Sequence, residues 1–208
     1  MNSELQLIRA LQNRFPVRSP VLVGIGDDGA VVDSSQQQRQ VIVMDMLLDG
    51  VHFDLSNTAA ELVGRKAVAV NLSDLAAMGC WPTAAFVSLA VPRSLPSAHA
   101  FLQQIFTGIA ELTTAWDFCV AGGDTNTWDG PFAIDVCLTG VPVGRQPVLR
   151  DGARPGDVLL VTGPLGGSLS HGRHLSFTPR LELARWLVQD HDVHAMLDIS
   201  DGLAIDLH

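Results

Sequence analysis

Five aspartate-bearing motifs mark this chain, each at a turn, a strand end or a polar point in an apolar run. They are Gly24-Ile25-Gly26-Asp27-Asp28, Asp45 after Val41-Ile42-Val43-Met44, Asp74 in Asn71-Leu72-Ser73-Asp74, Gly122-Gly123-Asp124-Thr125, and Asp198-Ile199-Ser200-Asp201-Gly202. Carboxylates gathered in one place repel: two unit charges 4 Å apart cost about 4 kcal/mol at an effective dielectric near 20. A fold that collects several of them needs cations, and hard oxygen ligands suit magnesium. The chemistry these residues suggest is magnesium-dependent handling of phosphates.

Each motif also has a plainer reading. The glycines around Asp27 and Asp28 can form an ordinary turn with solvated carboxylates. Asp45 fits a strand-end cap as well as a ligand, and Asn71 with Asp74 at i, i+3 fits a hydrogen-bonded pair on one helical face. Gly122-Gly123-Asp124-Thr125 reads as a turn after a strand, where glycines let backbone approach a phosphate. Asp198 to Asp201 falls on a strand-to-helix junction, whose backbone N–H groups attract anions.

Other chemistries are excluded on context. Gly24-x-Gly26-x-x-Gly29 matches the dinucleotide fingerprint only formally, since Ala30-Val31-Val32 reads as a strand where a helix is required. No Walker A sequence, EF-hand spacing or nucleophile elbow is present. His171-x-x-His174 and His191-x-x-His194 read as surface histidines in polar surroundings rather than zinc ligands.

The elements that must position these residues follow from periodicity. A capping box at Ser3-x-x-Gln6 opens a helix over 3–15. Val21–Gly24 and Gln40–Met46 read as strands, with the polar stretch Ser34–Gln40 as a hairpin tip. A long helix runs from the capping box Thr58-x-x-Glu61 to Gly79, with Pro82 just beyond. Thr83–Val91 alternates with Ala85, Val87, Leu89 and Val91 on one face; Ser97–Trp116 is a helix; Phe118–Ala121 is a strand. Phe132, Ile134, Val136 and Leu138 alternate along another. This order predicts an α+β, mixed-sheet unit rather than repeated βαβ units. Residues 144–157, rich in Gly, Pro and Arg, form the domain connection between 1–143 and 158–208. Beyond it Val158–Thr162 and Ala195–Ile199 read as strands, Thr178-Pro179 opens a helix to about Gln189, and a further helix starts at Asp201.

Composition sets the outer bounds. At 208 residues, 47% hydrophobic and 17% charged, the chain can bury a substantial core. A net charge of −9 argues against a nucleic-acid surface. Cys80, Cys119 and Cys137, without a C-x-x-C, fit buried thiols in a reducing cytosol. Neither a signal peptide nor a membrane-length apolar run is present, so the expected location is the cytoplasm.

In this order the motifs resemble the thiamine-monophosphate kinase family of the aminoimidazole-ribonucleotide-synthetase-like superfamily. The resemblance also rests on Asp49-Gly50-Val51-His52-Phe53, the long stretch from Lys66 to Gly79, Gly152-Ala153-Arg154-Pro155-Gly156-Asp157 and Asp198 to Leu203. It implies transfer of a phosphoryl group from ATP to thiamine monophosphate, giving thiamine diphosphate and ADP. It implies a homodimer whose N-terminal sheets join into a β-barrel, with several Mg2+ ions held by Asp28, Asp45, Asp74, Asp124, Asp198 and Asp201. Gly123, Asp124, Arg145 and Ser200 would contact ATP, and His52 the thiamine substrate; no general base is implied. Related synthetases of the superfamily (aminoimidazole ribonucleotide or selenophosphate type) and a non-catalytic nucleotide-binding fragment are the alternatives. Val43-Met44 stands where the family usually has a hydroxyl pair. Family members continue for about a hundred residues more, a second domain of ordinary size. The resemblance thus implies an α/β C-terminal domain begun here but truncated, and a chain that alone is poorly active.

Overall fold

The computed structural model describes Arg9, Gln12, residues 17–33 and residues 39–207. The expected helix over 3–15 lies outside them, except that Arg9 and Gln12 are helical; the hairpin tip lies outside them at 34–38. Six strands make one mixed sheet: β1 (Val21–Val23), β2 (Ala30–Asp33), β3 (Arg39–Leu48), β4 (Cys80–Pro92), β5 (Cys119–Trp128) and β6 (Ala133–Pro142). Their order across the sheet is β1-β2-β3-β6-β4-β5. Every adjacent pair is antiparallel except β4 and β5, which are parallel. The α+β, mixed-sheet expectation is borne out.

Alternation decides which face of the sheet is buried. On β6, Phe132 just before the strand and Ile134, Val136 and Leu138 along it are fully buried; Ala85, Val87, Leu89 and Val91 of β4 lie beside them. Val41, Val43 and Leu47 extend the same face on β3, while Met44 and Met46 point the other way and are 63% and 57% exposed.

Helix α1 (Ala60–Ala77) lies on the buried face, and helix α2 (Ala98–Ala115) packs on α1. Both begin and end within two residues of their sequence-derived limits. Their crossing needs glycine: a Cβ at Gly64 would fall 2.0 Å from the Ile105 carbonyl oxygen, and one at Gly108 would fall 1.8 Å from that of Glu61. Gly79, at φ +62°, follows the end of α1 and turns the chain straight into β4.

Strand β5 corrects the sequence reading. Gly122-Gly123-Asp124-Thr125 was expected to follow a strand as a turn; it lies inside one, running to Trp128 beside β4. Val120 pairs with Ala85 and Gly122 with Phe86, so Ala121 is a bulge. β5 is the edge of the sheet and exposed throughout, so no burial pattern marked it. Cys119 is therefore exposed, contrary to the expectation of buried thiols, whereas Cys80 is buried and its thiol is pushed up to about 12 by burial.

Past the sheet, the structure is a 3-10 turn (Arg150–Gly152) and three helices: α3 (Arg173–Ser176), α4 (Leu181–Asp190) and α5 (Leu203–Asp206). Helix α4 starts two residues after Pro179, and α5 two residues after Asp201. Val158–Thr162 and Ala195–Ile199 form no strand, because no strand lies alongside either among the described residues. Leu181 and Ala184 seat α4 on the core, and the Arg185 guanidinium lies 4.8 Å from the Trp81 ring, itself edge-on to Trp116.

Candidate active site

The turn between β1 and β2 is packed tightly enough to fix Asp28. A Cβ at Gly29 would meet Val43 at 2.9 Å and Met78 at 3.0 Å. Only 2% of the Asp28 side chain is exposed. Asp74 projects from the last turn of α1, and Asp198 comes from the extended stretch before α5. One carboxylate oxygen from each of Asp28, Asp74 and Asp198 lies within 4.8 Å of the others. Three segments far apart in sequence thus deliver their acids to one point.

Two contacts hold the cluster. Ser73 Oγ donates to Asp198 Oδ2 at 3.2 Å, tying the last stretch of chain to α1. Arg150 grips Asp28 with both arms, Nε to Oδ2 at 2.9 Å and Nη2 to Oδ1, while its backbone N–H reaches Asp27. Even so, three carboxylates face one guanidinium. Burial, then the charges of Asp198, Asp45 and Asp28, push Asp74 up to about 9. Burial, then Asp28, push Asp198 up to about 6, against the bond from Ser73 and the charge of Arg150.

Asp45 stands beside this group. It lies in the middle of β3 rather than at a strand end, on the same face as Val43 and Leu47, and its charge is felt by Asp74. Burial raises its pKa, which His52 opposes and Asp135 reinforces. Val43 is spent on the core and Met44 on the uncovered face, so neither side chain serves Asp45 as a hydroxyl pair would.

The remaining sequence-derived site residues are not drawn into this group. Asp124 is exposed and bonds its own strand, accepting from the Thr125 N–H at 2.9 Å and from Asn126 Nδ2 at 2.8 Å. Register pairs it with Ser88, on the face away from α1. Asp201 is exposed. The backbone donors expected to attract anions at that junction already have a partner: Ser200, Asp201 and Gly202 N–H all donate to Asp206 Oδ2. Arg145 is exposed and lines a depression of about 500 Å³ with Val188, His191 and His194. Arg150, five residues on, is the arginine the structure brings to the acids. Both lie on one Gly/Pro/Arg-rich stretch, and nothing in its spacing separates them.

Gly123 is where backbone meets backbone, since a Cβ there would fall 1.8 Å from the Val87 carbonyl oxygen. Beside it, Val120 to Thr125 and the half-exposed Phe106 of α2 border an open depression of about 410 Å³. Nothing in the sequence singled out Phe106. His52 sits in the turn after β3; its Nδ1 accepts the Leu48 N–H at 3.0 Å, leaving Nε2 as the free ring nitrogen. The histidine pairs are only half as expected. His171 and His191 are exposed, but His174 and His194 are half-buried, against Lys66 and Asp157.

Chemically, the donor set is all oxygen, which suits a hard divalent ion over zinc or copper. Ligands at about 2.1 Å from a common magnesium ion stand up to about 4.2 Å apart. The observed limit of 4.8 Å fits after side-chain shifts of a few tenths of an ångström.

Residues 26–142 match the model of the AIR synthase related protein N-terminal domain, which defines the class of this sheet and its two covering helices. Within that class, the chain is 44% identical to the thiamine-monophosphate kinase of Rhodopirellula baltica, over 98% of its own length and 65% of the relative's. It is 32% identical to that of Bacillus subtilis, over 99% and 69%. The solved structure of AaThiL complexed with AMPPCP and TMP superposes with a TM-score of 0.80 at 29% identity, covering 98% of this chain and 67% of that one. The chain belongs to the thiamine-monophosphate kinase family. It spans about two thirds of the length of these relatives.

Proposed function

We propose that this chain carries the metal- and nucleotide-handling part of an ATP-dependent thiamine-monophosphate kinase. The reaction is in-line transfer of the γ-phosphoryl group to the phosphate of thiamine monophosphate, giving thiamine diphosphate and ADP. The observation that carries this reading is the convergence of Asp28, Asp74 and Asp198 with Arg150. The relatives' shared name and the AMPPCP and TMP held by a structural neighbour support it over the other synthetases of the superfamily.

Asp28, Asp74 and Asp198, with Asp45 beside them, are the proposed resident Mg2+ ligands. Asp124 and Asp201 are proposed to contact metal that arrives with the nucleotide. Bound Mg2+ would neutralise the triphosphate and let a second anion approach. Arg150, rather than Arg145, is the proposed phosphate contact. Gly123, with Ser200, is proposed to line the nucleotide site, and the flat ring of Phe106 to receive the base. A phosphate monoester with a second pKa near 6 is mostly dianionic at neutral pH, so its oxygen attacks without a general base. His52 is the proposed contact to the thiamine substrate.

The uncovered sheet face, with Met44, Met46 and Phe86, suits a second copy of the chain, the two sheets closing into a barrel. Residues 1–143 are the proposed metal-binding and dimerising domain, 144–157 the connection, and 158–208 part of an α/β domain. No helix among the described residues is long and apolar enough to cross a membrane, and the cytoplasm is the proposed location.

ADP release that depends on thiamine monophosphate tests the assignment; ADP release indifferent to it would refute it. Asp74→Asn is expected to abolish Mg2+-dependent AMPPCP binding, followed by calorimetry, with an unchanged circular dichroism spectrum. Unaltered binding would remove Asp74 from the site.

A further inference from the structure

Two adjacent cations, Arg65 and Lys66, lie buried on α1, each 8% exposed. Arg65 is well supplied: Nε donates to Glu111 at 3.0 Å, and one terminal nitrogen donates to the Phe177 carbonyl at 2.9 Å. Lys66 has no carboxylate partner among the described residues. Its Nζ donates to the His52 carbonyl at 2.6 Å and lies 3.0 Å from His174 Nδ1. An ammonium has donors only, so His174 Nδ1 accepts and the ring proton sits on Nε2.

Burying an ammonium against neutral acceptors costs free energy that an apolar side chain of similar length would not. Burial accordingly lowers the Lys66 pKa, and burial, then the charge of Lys66, lowers that of His174. What the ammonium does, and a thioether could not, is hold three pieces of chain at one point. These are α1, the turn carrying His52, and α3 beyond the connection. The turn has further fixings of its own. Leu55 N–H donates to Asp49 at 2.9 Å, Gly50 N–H to the Phe53 carbonyl at 2.8 Å, and His52 N–H to the Leu48 carbonyl at 2.9 Å. Among the described residues, the hydrogen bonds that join it to the second region run through Lys66.

We infer that Lys66 is a positioning residue for His52, fixing the substrate turn from below and coupling it to residues 173–177 through His174. This rests on the proposed role of His52 at the thiamine substrate. The predicted mark is a selective one: contact with thiamine monophosphate depends on Lys66, and contact with the nucleotide does not.

Lys66→Met should weaken calorimetric binding of thiamine monophosphate about tenfold, the scale of one lost hydrogen bond to a charged group, and leave Mg2+-AMPPCP binding unchanged. Amide hydrogen exchange at Gly50 and His52 should quicken by about the same factor. In ring-nitrogen NMR, His174 should lose its Nε2–H preference while His52 keeps its own through Leu48. Lys66→Arg, with donors for both acceptors, should recover most of the binding. Unchanged exchange at Gly50 and His52, or equal weakening of both ligands, overturns the inference. Should Lys66→Met not fold, His174→Phe removes the acceptor at the far end and is expected to weaken thiamine monophosphate binding about threefold; unchanged binding there also overturns it. If the unaltered chain binds no thiamine monophosphate, the functional reading fails, and the exchange rates still decide whether Lys66 holds the turn.

Discussion

Strand β6 and the run Val158–Val161 are built from the same kind of branched apolar residues, yet the molecule treats them oppositely. Ile134, Val136 and Leu138 are fully buried, while Val158, Leu159 and Leu160 are 80%, 62% and 76% exposed. The difference lies in their neighbours. β6 has β3 on one side, β4 on the other and α1 across its face. Val158–Val161 has no strand to share its N–H and carbonyl groups among the described residues. A strand is a relation between segments, and hydrophobic residues alone do not make one.

That contrast can be broken most severely at the helix crossing that covers β6. Gly108→Val puts a branched side chain where even a Cβ would lie 1.8 Å from a backbone oxygen, and should cost more than about 4 kcal/mol or prevent folding. Thermal denaturation or simple yield of soluble protein measures it. Within the sheet, Ile134→Ala should cost about 3 kcal/mol, against less than about 0.5 kcal/mol for Leu160→Ser, both by urea denaturation of this chain. Equal costs would mean that the two runs are packed alike.

The last prediction concerns the seam between the regions, where Asp28 and Asp74 of the first meet Arg150 of the connection and Asp198 of the second. Folding raises Asp74 from 3.8 to about 9 and Asp198 from 3.8 to about 6, so the folded state keeps protons that the unfolded state has lost. Stability from this source is therefore complete below about pH 4. It declines as pH rises through about 6 towards about 9 when no divalent cation is bound. Mg2+ should restore it at pH 8, and Asp74→Asn should flatten the decline, both read by thermal melts across pH.

Much of the first region was legible because its signals were periodic. The buried faces of β4 and β6 followed from alternation, and the first long helix was bounded by end signals such as Gly79. β5 was cut short because Gly-Gly-Asp-Thr carries turn chemistry, and an edge strand shows no alternation to contradict it. The two strands expected beyond residue 157 failed because an apolar run says nothing about its partners. At the site, sequence named the three acids that converge, but also Asp124, whose register turns it to the other face. The resemblance named Arg145 as an ATP contact and left Arg150 unmentioned, since which arginine of a loop reaches a buried carboxylate is settled by the path of the chain. Asp206 was missed because its bonds are to backbone N–H groups, which leave no pattern of residue types.

The Trp81–Trp116 pair has a practical consequence. One indole belongs to the sheet and the other closes α2, while the charge of Arg185, on α4, rests over the first. Lifting α4 away would strip a cation from an excited-state dipole and wet the ring at the same time. The protein therefore carries its own optical gauge of whether its two halves are seated on each other, with no dye attached.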